Sequence, residues 1–348
     1  MQKYRDRTKT IHNFILSNVE KNPRKITSLT AKKFNISRSA VLRHIQQLLA
    51  DNLLAAKGST KDRSYSLVPI ATVHEEIPLT SVIQEDKIWR EYAYPALEKL
   101  PKNVLDICQY GFTEMVNNVI DHSEGSTLFI DISYKIKEVT IWIMDDGIGI
   151  FRKIMNELNL ENELHAVLEL SKGKLTTDPE SHTGEGIFFA SRVFDKYFIT
   201  SNEVIFTHFP EGEDWVSEFR NHNKGNENEN GTTVYMRIDP NSKTSLKNIF
   251  DEFASEYDDY GFSRTVVPVF LTQYGNENLI SRSQAKRLLA RFDKFKEVIL
   301  DFKNVDFIGQ AFADEVFRVF VNKNPDIHLN YINASEQVEK MILRTKRK

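Results

Sequence analysis

Three short stretches of this 348-residue chain hold residue types at spacings suited to phosphate chemistry. In Glu114-Met-Val-Asn-Asn-Val-Ile-Asp-His122, polar residues recur at i and i+4 (Glu114, Asn118, His122) over an apolar skeleton of Met115, Val116, Val119 and Ile120. On a helix those three stack on one face. A carboxylate and a carboxamide one turn apart can hold a divalent cation through oxygen and polarise a water. Asp145-Asp-Gly-Ile-Gly149 follows the apolar run Val139–Met144, so its aspartate and glycines sit where a strand gives way to a tight turn. His182-Thr-Gly-Glu-Gly186 opens an apolar helix at Ile187–Ala190 and offers backbone N–H groups to an anion. Singly, the first reads as a solvated face and the second as a turn. Together they read as a nucleotide site.

The elements around these motifs can be sketched from periodicity. Ile88, Trp89, Tyr92, Leu97 and Leu100 have helical spacing and stop at Pro101, and the helix carrying Glu114 follows. Thr127–Tyr134 and Glu138–Met144 form an antiparallel strand pair that leads into Asp145. Further strands are predicted around Tyr197–Phe209, Trp215–Phe219 and Gly231–Ile238, with a polar loop at Asn221–Asn230.

Composition narrows the class. With 41% apolar and 27% charged residues, the chain can build two or three packed domains. Its one cysteine, Cys108, excludes an internal disulfide framework and fits a reducing cytoplasm. No run of about 18 apolar residues and no signal-peptide core is present, so no membrane role is expected. Residues 1–70 carry eight Lys and six Arg against three Asp and one Glu, a surplus of +10 in a chain of net charge −3. That end faces polyanions.

Within it, Ile11, Phe14, Ile15 and Val19 mark one helix and Ile26–Phe34 a second. A third begins at Ser37, a good N-cap, and Asn35-Ile36 makes the turn before it. Two short strands, Leu53–Lys57 and Ser64–Val68, flank a polar tip. This resembles a winged helix-turn-helix domain. Arg38, Ser39, Arg43 and His44 fall on or near the exposed side of the third helix for a major groove, and Lys57, Lys61 and Arg63 for phosphates. The plainer alternative is a helical bundle for protein contact; the position of the charge favours DNA. Residues 71–84 read as a linker.

The three phosphate-type motifs, in their order, resemble the ATP-binding domain shared by gyrase-type ATPases, the Hsp90 chaperone, sensor histidine kinases and MutL proteins (GHKL), over about half the chain. The resemblance implies a Bergerat-type α/β sandwich over 85–256, with ATP and Mg²⁺ as cofactors. It implies that Asp145 accepts the adenine amino group, Asn118 holds Mg²⁺ and Glu114 orients the attacking water. Gly147 and Gly149 would let backbone approach the base, Gly184 and Gly186 the phosphates, and Thr233 in the closing strand would support the aspartate. A lid is implied at about 150–183, in which Lys172 and Lys174 read as solvated rather than phosphate-bound. His122 reads as structural, and no separate phosphoacceptor helix is evident.

From 257 to 348, apolar strands at Thr265–Leu271, Glu297–Phe302 and His328–Ile332 alternate with helices, an α/β pattern. Val298–Ile308 resembles the central strand and turn of anti-sigma-factor-antagonist (STAS) domains. Where that family places its phosphorylated serine, this chain reads Gly309-Gln-Ala-Phe312, so a scaffold or protein-partner role is expected. The full combination resembles bacterial proteins with the uncharacterised DUF4325 domain. The fold class expected is therefore α+β and multidomain: winged helix, Bergerat-type domain, STAS-like domain. The function expected is an ATP-binding, DNA-binding regulator in which nucleotide controls docking of domains or of a homodimer. The alternatives are an anti-sigma-type protein serine kinase and a nucleotide-binding unit kept for assembly without turnover.

Overall fold

The structure, a computed structural model, describes residues 2–59, 62–80, 83–175, 184–208, 215–218, 231–254, 261–273 and 277–346. At the N-terminal end, α1 (Gln2–Asn18), α2 (Ile26–Phe34) and α3 (Arg38–Ala50) enclose a small core of Ile11, Ile15, Val19, Ile26, Val41, Ile45 and Leu48. Asn35 turns the chain between α2 and α3 in the left-handed conformation, φ 49°. Ser37 then caps α3 by accepting from Ala40 N at 3.2 Å, a bond worth about 1 kcal/mol. β1 (Leu54–Lys57) and β2 (Ser64–Leu67) pair antiparallel behind α3.

The next segment corrects an expectation. Residues 71–78 of the expected linker are instead part of β3 (Pro69–Pro78), the edge strand of the main sheet. Ala71, Val73, Glu75 and Ile77 are its half-buried positions. The polar Glu75 breaks the apolar alternation, which hides the strand from a reading of period 2. α4 (Glu85–Ile88) continues through a π-helical turn, Trp89–Ala93, into α5 (Tyr94–Leu97), and α6 (Lys102–His122) follows. β4 (Thr127–Lys135) and β5 (Glu138–Asp145) precede three helices, α7 (Ile150–Glu157), α8 (Glu163–Lys172) and α9 (Gly186–Val193). β6 (Lys196–Ser201), β7 (Val204–His208), β8 (Trp215–Glu218) and β9 (Thr232–Ile238) complete a seven-stranded sheet in the order β3-β4-β5-β9-β6-β7-β8. All its pairings are antiparallel.

Period 2 gives this sheet one buried face. Leu128, Ile130 and Ile132 of β4, Val139, Ile141 and Ile143 of β5, and Val234, Met236 and Ile238 of β9 meet the apolar stripe of α6. That stripe runs through Val104, Ile107, Cys108, Phe112, Met115, Val116 and Val119. Gly111 interrupts it at a helix-propensity cost of about 1 kcal/mol against alanine. A β-carbon there would stand 2.4 Å from Phe194 Cε2, so the glycine lets Phe194, just after α9, reach the helix.

α10 (Leu246–Phe253) leads to the C-terminal unit: β10 (Arg264–Pro268), α11 (Arg282–Leu289), β11 (Glu297–Asp301), α12 (Gln310–Asp314), α13 (Val321–Lys323), β12 (His328–Ile332) and α14 (Glu336–Lys346). Its three strands are parallel in the order β10-β11-β12, with Thr265, Val298 and Leu329 in register. The expected strand–helix alternation is thus present. Leu168 of α8 and Phe188 and Phe189 of α9 share this unit's core cluster. Within the range expected to be a lid, 150–172 is corrected accordingly, since α7 and α8 are core helices with Phe151, Ala166, Val167 and Leu168 fully buried. Residues 176–183 of that range, with His182 and Thr183, lie outside the described residues.

Candidate functional site

α6 carries Glu114, Asn117, Asn118 and His122 alongside its apolar stripe, with Glu114, Asn118 and His122 spaced one turn apart. All four line a cavity of about 310 Å³, of the size that takes a small-molecule ligand. Asp145 enters it from the end of β5, Ile150, Lys153 and Ile154 from α7, Leu170 from α8, and Thr232 and Val234 from β9. Gly184, Glu185, Gly186, Ile187 and Phe188 complete the lining. All three motifs therefore converge on one space.

Asp145 is 9% exposed and accepts from Gly147 N at 2.9 Å and Thr232 N at 3.2 Å, both on Oδ1. Burial pushes its carboxyl above the usual carboxylate range, and the bonds from Gly147 and Thr232 pull it part of the way back. Its neighbour Asp146 has a different task. It accepts from Ser126 N, Thr127 N and Ser126 Oγ at 2.7, 2.9 and 2.6 Å, which pins the turn to the start of β4. The Ser126 hydroxyl, ahead of the two amides, holds Asp146 below its usual range.

The threonine expected beside Asp145 is the adjacent one. Thr232 Oγ1 accepts from Ile150 N at 3.0 Å and its own N–H reaches Asp145, whereas Thr233, opposite Met144, is on the other face of β9. Two-residue alternation makes this a one-position error of register.

The glycines divide into two pairs. Gly184, φ +69°, and Gly186 line the cavity. α9 has no side-chain cap, so its first N–H groups are donors on the cavity wall. Gly147 and Gly149 do not line it. A β-carbon at Gly147 would meet Ser123 O at 2.0 Å and one at Gly149, φ +87°, would meet Ser201 Oγ at 2.3 Å. Their small size serves chain packing at the turn after Asp145.

Two further charged residues in the wall escaped sequence reasoning. Lys153 is held by Glu124 at 3.0 Å and Glu157 at 3.8 Å. Its position four residues after Gly149, on the first turn of a helix, is the signal that marks it. Glu185 lies between the two glycines of the third motif; burial raises its pKa, against the charge of Lys174. Tyr110, one turn before Glu114, is driven upward by burial and by the Glu114 and Glu185 carboxylates.

The two lysines of the expected lid differ, and neither lines the cavity. Lys172 is fully buried and bonded to Glu169, and Lys174 donates to Lys294 O at 3.1 Å. The solvated reading is corrected for Lys172, while Lys174 is half-buried.

Among the described residues no group of three or more His, Cys, Asp or Glu could hold a metal ion. Mg²⁺ does not need one, because it keeps waters and phosphate oxygens and takes one or two protein oxygens. Asn118, with Glu114 one turn away, fits that demand.

In the N-terminal unit Arg38, Ser39 and Arg43 are exposed on α3, and Lys57 and Arg63 on the hairpin. Lys61 lies outside the described residues. His44 turns toward α1, where its Nδ1 is 3.1 Å from His12 Nε2. It is half-buried and makes an interhelical contact. In the C-terminal unit Gly309 precedes α12 and Phe312 is fully buried, so no hydroxyl stands at the turn.

Residues 284–339 match the family described as the STAS-like domain of unknown function (DUF4325). Over 120 residues, 34% of this chain, it is 31% identical to the sensor histidine kinase DesK of Bacillus subtilis (strain 168). The chain spans 30% of that kinase's length. Among solved structures, the topoisomerase IV ATP-binding domain of Francisella tularensis, in complex with a small-molecule inhibitor, is similar at 14% identity over 53% of this chain and 81% of that one. Its TM-score of 0.25 is too low to carry an argument. The ordered motifs and the kinase similarity support one class, a chain with a GHKL-type domain joined to a STAS-like unit. Within that class, its C-terminal segment carries the DUF4325 domain.

Proposed function

We propose that the chain binds ATP with Mg²⁺ in this cavity and uses its occupancy to control domain or protomer docking and the DNA affinity of residues 1–70. The observation that carries the reading is the meeting of Glu114, Asn118, Asp145, Gly184 and Gly186 in one wall-to-wall space. In it, Asp145, backed by Thr232, accepts the adenine amino group, and its buried carboxylate makes that selection specific. Asn118 supplies an oxygen to Mg²⁺, which neutralises phosphate charge. Gly184, Gly186 and the open N–H groups of α9 receive the phosphates. Glu114 orients a water and takes its proton as the water oxygen bonds to the γ-phosphorus and ADP leaves, and this turnover, slow in our reading, serves as a reset.

The DNA half rests on the +10 charge of residues 1–70 and on the exposure of Arg38, Ser39, Arg43, Lys57 and Arg63. Three helices and a β-hairpin fit a winged helix whose α3 enters a major groove. The test is DNA affinity at fixed salt with no nucleotide, with ADP and with a non-hydrolysable ATP analogue. Equal affinities in all three would sink the coupling.

The similarity to a sensor histidine kinase favours one alternative, transfer of the γ-phosphate to a separate protein. Label from γ-³²P-ATP appearing on any protein supports that alternative, and release of inorganic phosphate alone supports the ATPase. The Gly309–Phe312 turn holds no hydroxyl or imidazole to accept it in cis.

A further inference from the structure

The wall of the cavity is held from outside its own domain. Lys172, at the end of α8, has no exposed surface, yet it carries a charge. Its Nζ donates to Glu169 Oε1 at 2.6 Å and to two carbonyls of the C-terminal unit, Ala290 O at 2.9 Å and Arg287 O at 3.3 Å. Arg291 of the same unit completes the cluster. One of its amines binds Glu169 Oε2 at 3.1 Å and the other donates to Lys174 O at 2.5 Å. From β10, Thr265 Oγ1 donates to Lys172 O at 2.7 Å. Burial lowers the Lys172 pKa to about 8 against the pull of Glu169. Ions are placed in such surroundings only where every partner is present.

This cluster touches the pocket through the chain. Leu170 sits between Glu169 and Lys172, and Leu175 directly follows Lys174; both line the cavity. Leu175 N bonds Gly184 O at 3.1 Å, which ties the clamped segment to the wall that carries Gly184 and Gly186. Gly173, φ +82°, turns the chain where a β-carbon would strike Phe262 at 2.7 Å. Apolar contact backs the ionic one, with Phe262 packed on Phe188 and Phe189 at ring distances of 4.4 and 4.9 Å.

We propose that the STAS-like unit is an intramolecular clamp on the nucleotide pocket. Arg291 and the carbonyls that end α11 fix the Glu169–Leu175 wall, so pocket occupancy and docking of this unit form one coupled equilibrium. The coupling rests on the nucleotide reading of the cavity. Each site then changes the other's affinity by the same factor. A partner that captured the STAS-like unit and drew it away would loosen the wall and release the nucleotide.

The experiment uses the full chain and MgATP, with affinity read by titration calorimetry and docking by hydrogen exchange. Arg291→Met keeps the aliphatic stem and removes both bonds. Its Kd for MgATP is expected to rise by about 5- to 150-fold, the usual range of such couplings. In the unsubstituted protein MgATP should slow exchange across residues 282–296, and Arg291→Met should lose that response. Arg291→Lys cannot span Glu169 and Lys174 O together and should shift Kd in the same direction by less; it serves in place of Arg291→Met if that protein does not fold. Unchanged or tighter binding in the folded variant overturns the clamp. Absence of MgATP binding by the unsubstituted protein overturns instead the nucleotide reading beneath it.

Discussion

The carboxylate of Glu114 lies against Gly186: a β-carbon at Gly186 would stand 2.0 Å from Glu114 Oε2. The first motif and the third are thus fitted to each other, and the fit is testable. Gly186→Ala must displace the Glu114 side chain. MgATP binding should weaken and phosphate release should fall to background, while Tm drops by the equivalent of about 1–3 kcal/mol of overpacking. Wild-type phosphate release by the alanine protein would show that Glu114 works from another position.

Glu114→Gln keeps the shape and removes the base. MgATP affinity should stay within about threefold while phosphate release falls by about 10²–10⁴. Equal loss of binding and turnover would make Glu114 a binding group.

Asp145→Asn separates function from stability. The folded carboxyl is raised by burial, so Asp145 favours folding below its unfolded pKa and loses that contribution as pH rises through the folded value. At neutral pH its charge is therefore a cost. Asparagine keeps an oxygen for Gly147 N and Thr232 N. The ligand-free variant should melt no lower than the unsubstituted protein, yet lose adenine nucleotide affinity. For the unsubstituted protein, affinity should fall as pH is lowered toward the raised pKa. Destabilisation at neutral pH with unaltered nucleotide affinity would reverse the assignment.

Neighbouring threonines give a sharper control. Thr232→Val strands Ile150 N and should cost about 1–3 kcal/mol together with nucleotide affinity. Thr233→Val, on the opposite face of β9, should stay within about 0.5 kcal/mol and leave affinity alone. Denaturant titration and MgATP binding on the two variants decide it; the reverse pattern would restore Thr233.

What the sequence made legible was periodic or punctuated. The stripe of α6, the alternation of β4 and β5, the Ser37 cap and the alternation of three strands with helices in the C-terminal unit were all expected and are present. β3 was missed because Glu75 occupies a half-buried position of an edge strand, where one face is open to water. Thr232 was missed by one residue, since composition does not say which face of a strand is inward. Lys172 was misread for a deeper reason. A lysine beside a glycine looks solvated until the partners that bury it are known, and Glu169, Arg287, Ala290 and Arg291 come partly from another unit, more than 100 residues away. Long-range ion clusters leave no local signature. The same holds for His44, whose partner His12 lies on a different helix.

β3 also determines where this protein can be divided. Its pairing with β4 runs from Pro69 to Pro78, and the same chain leaves the N-terminal unit only two residues after Leu67. Glu20 grips both sides of that junction, accepting from Leu67 N at 2.8 Å and pairing with Lys135 of β4 at 3.4 Å. A cut at residue 84 would strip the sheet of its border and bare the backbone of β4, whose N–H and C=O groups would then seek strands of other molecules. A fragment begun at Pro69 keeps its own edge covered. The N-terminal unit and the cavity domain are therefore joined by a single residue, Val68, with Glu20 bridging the two sides, and no length of free chain separates them.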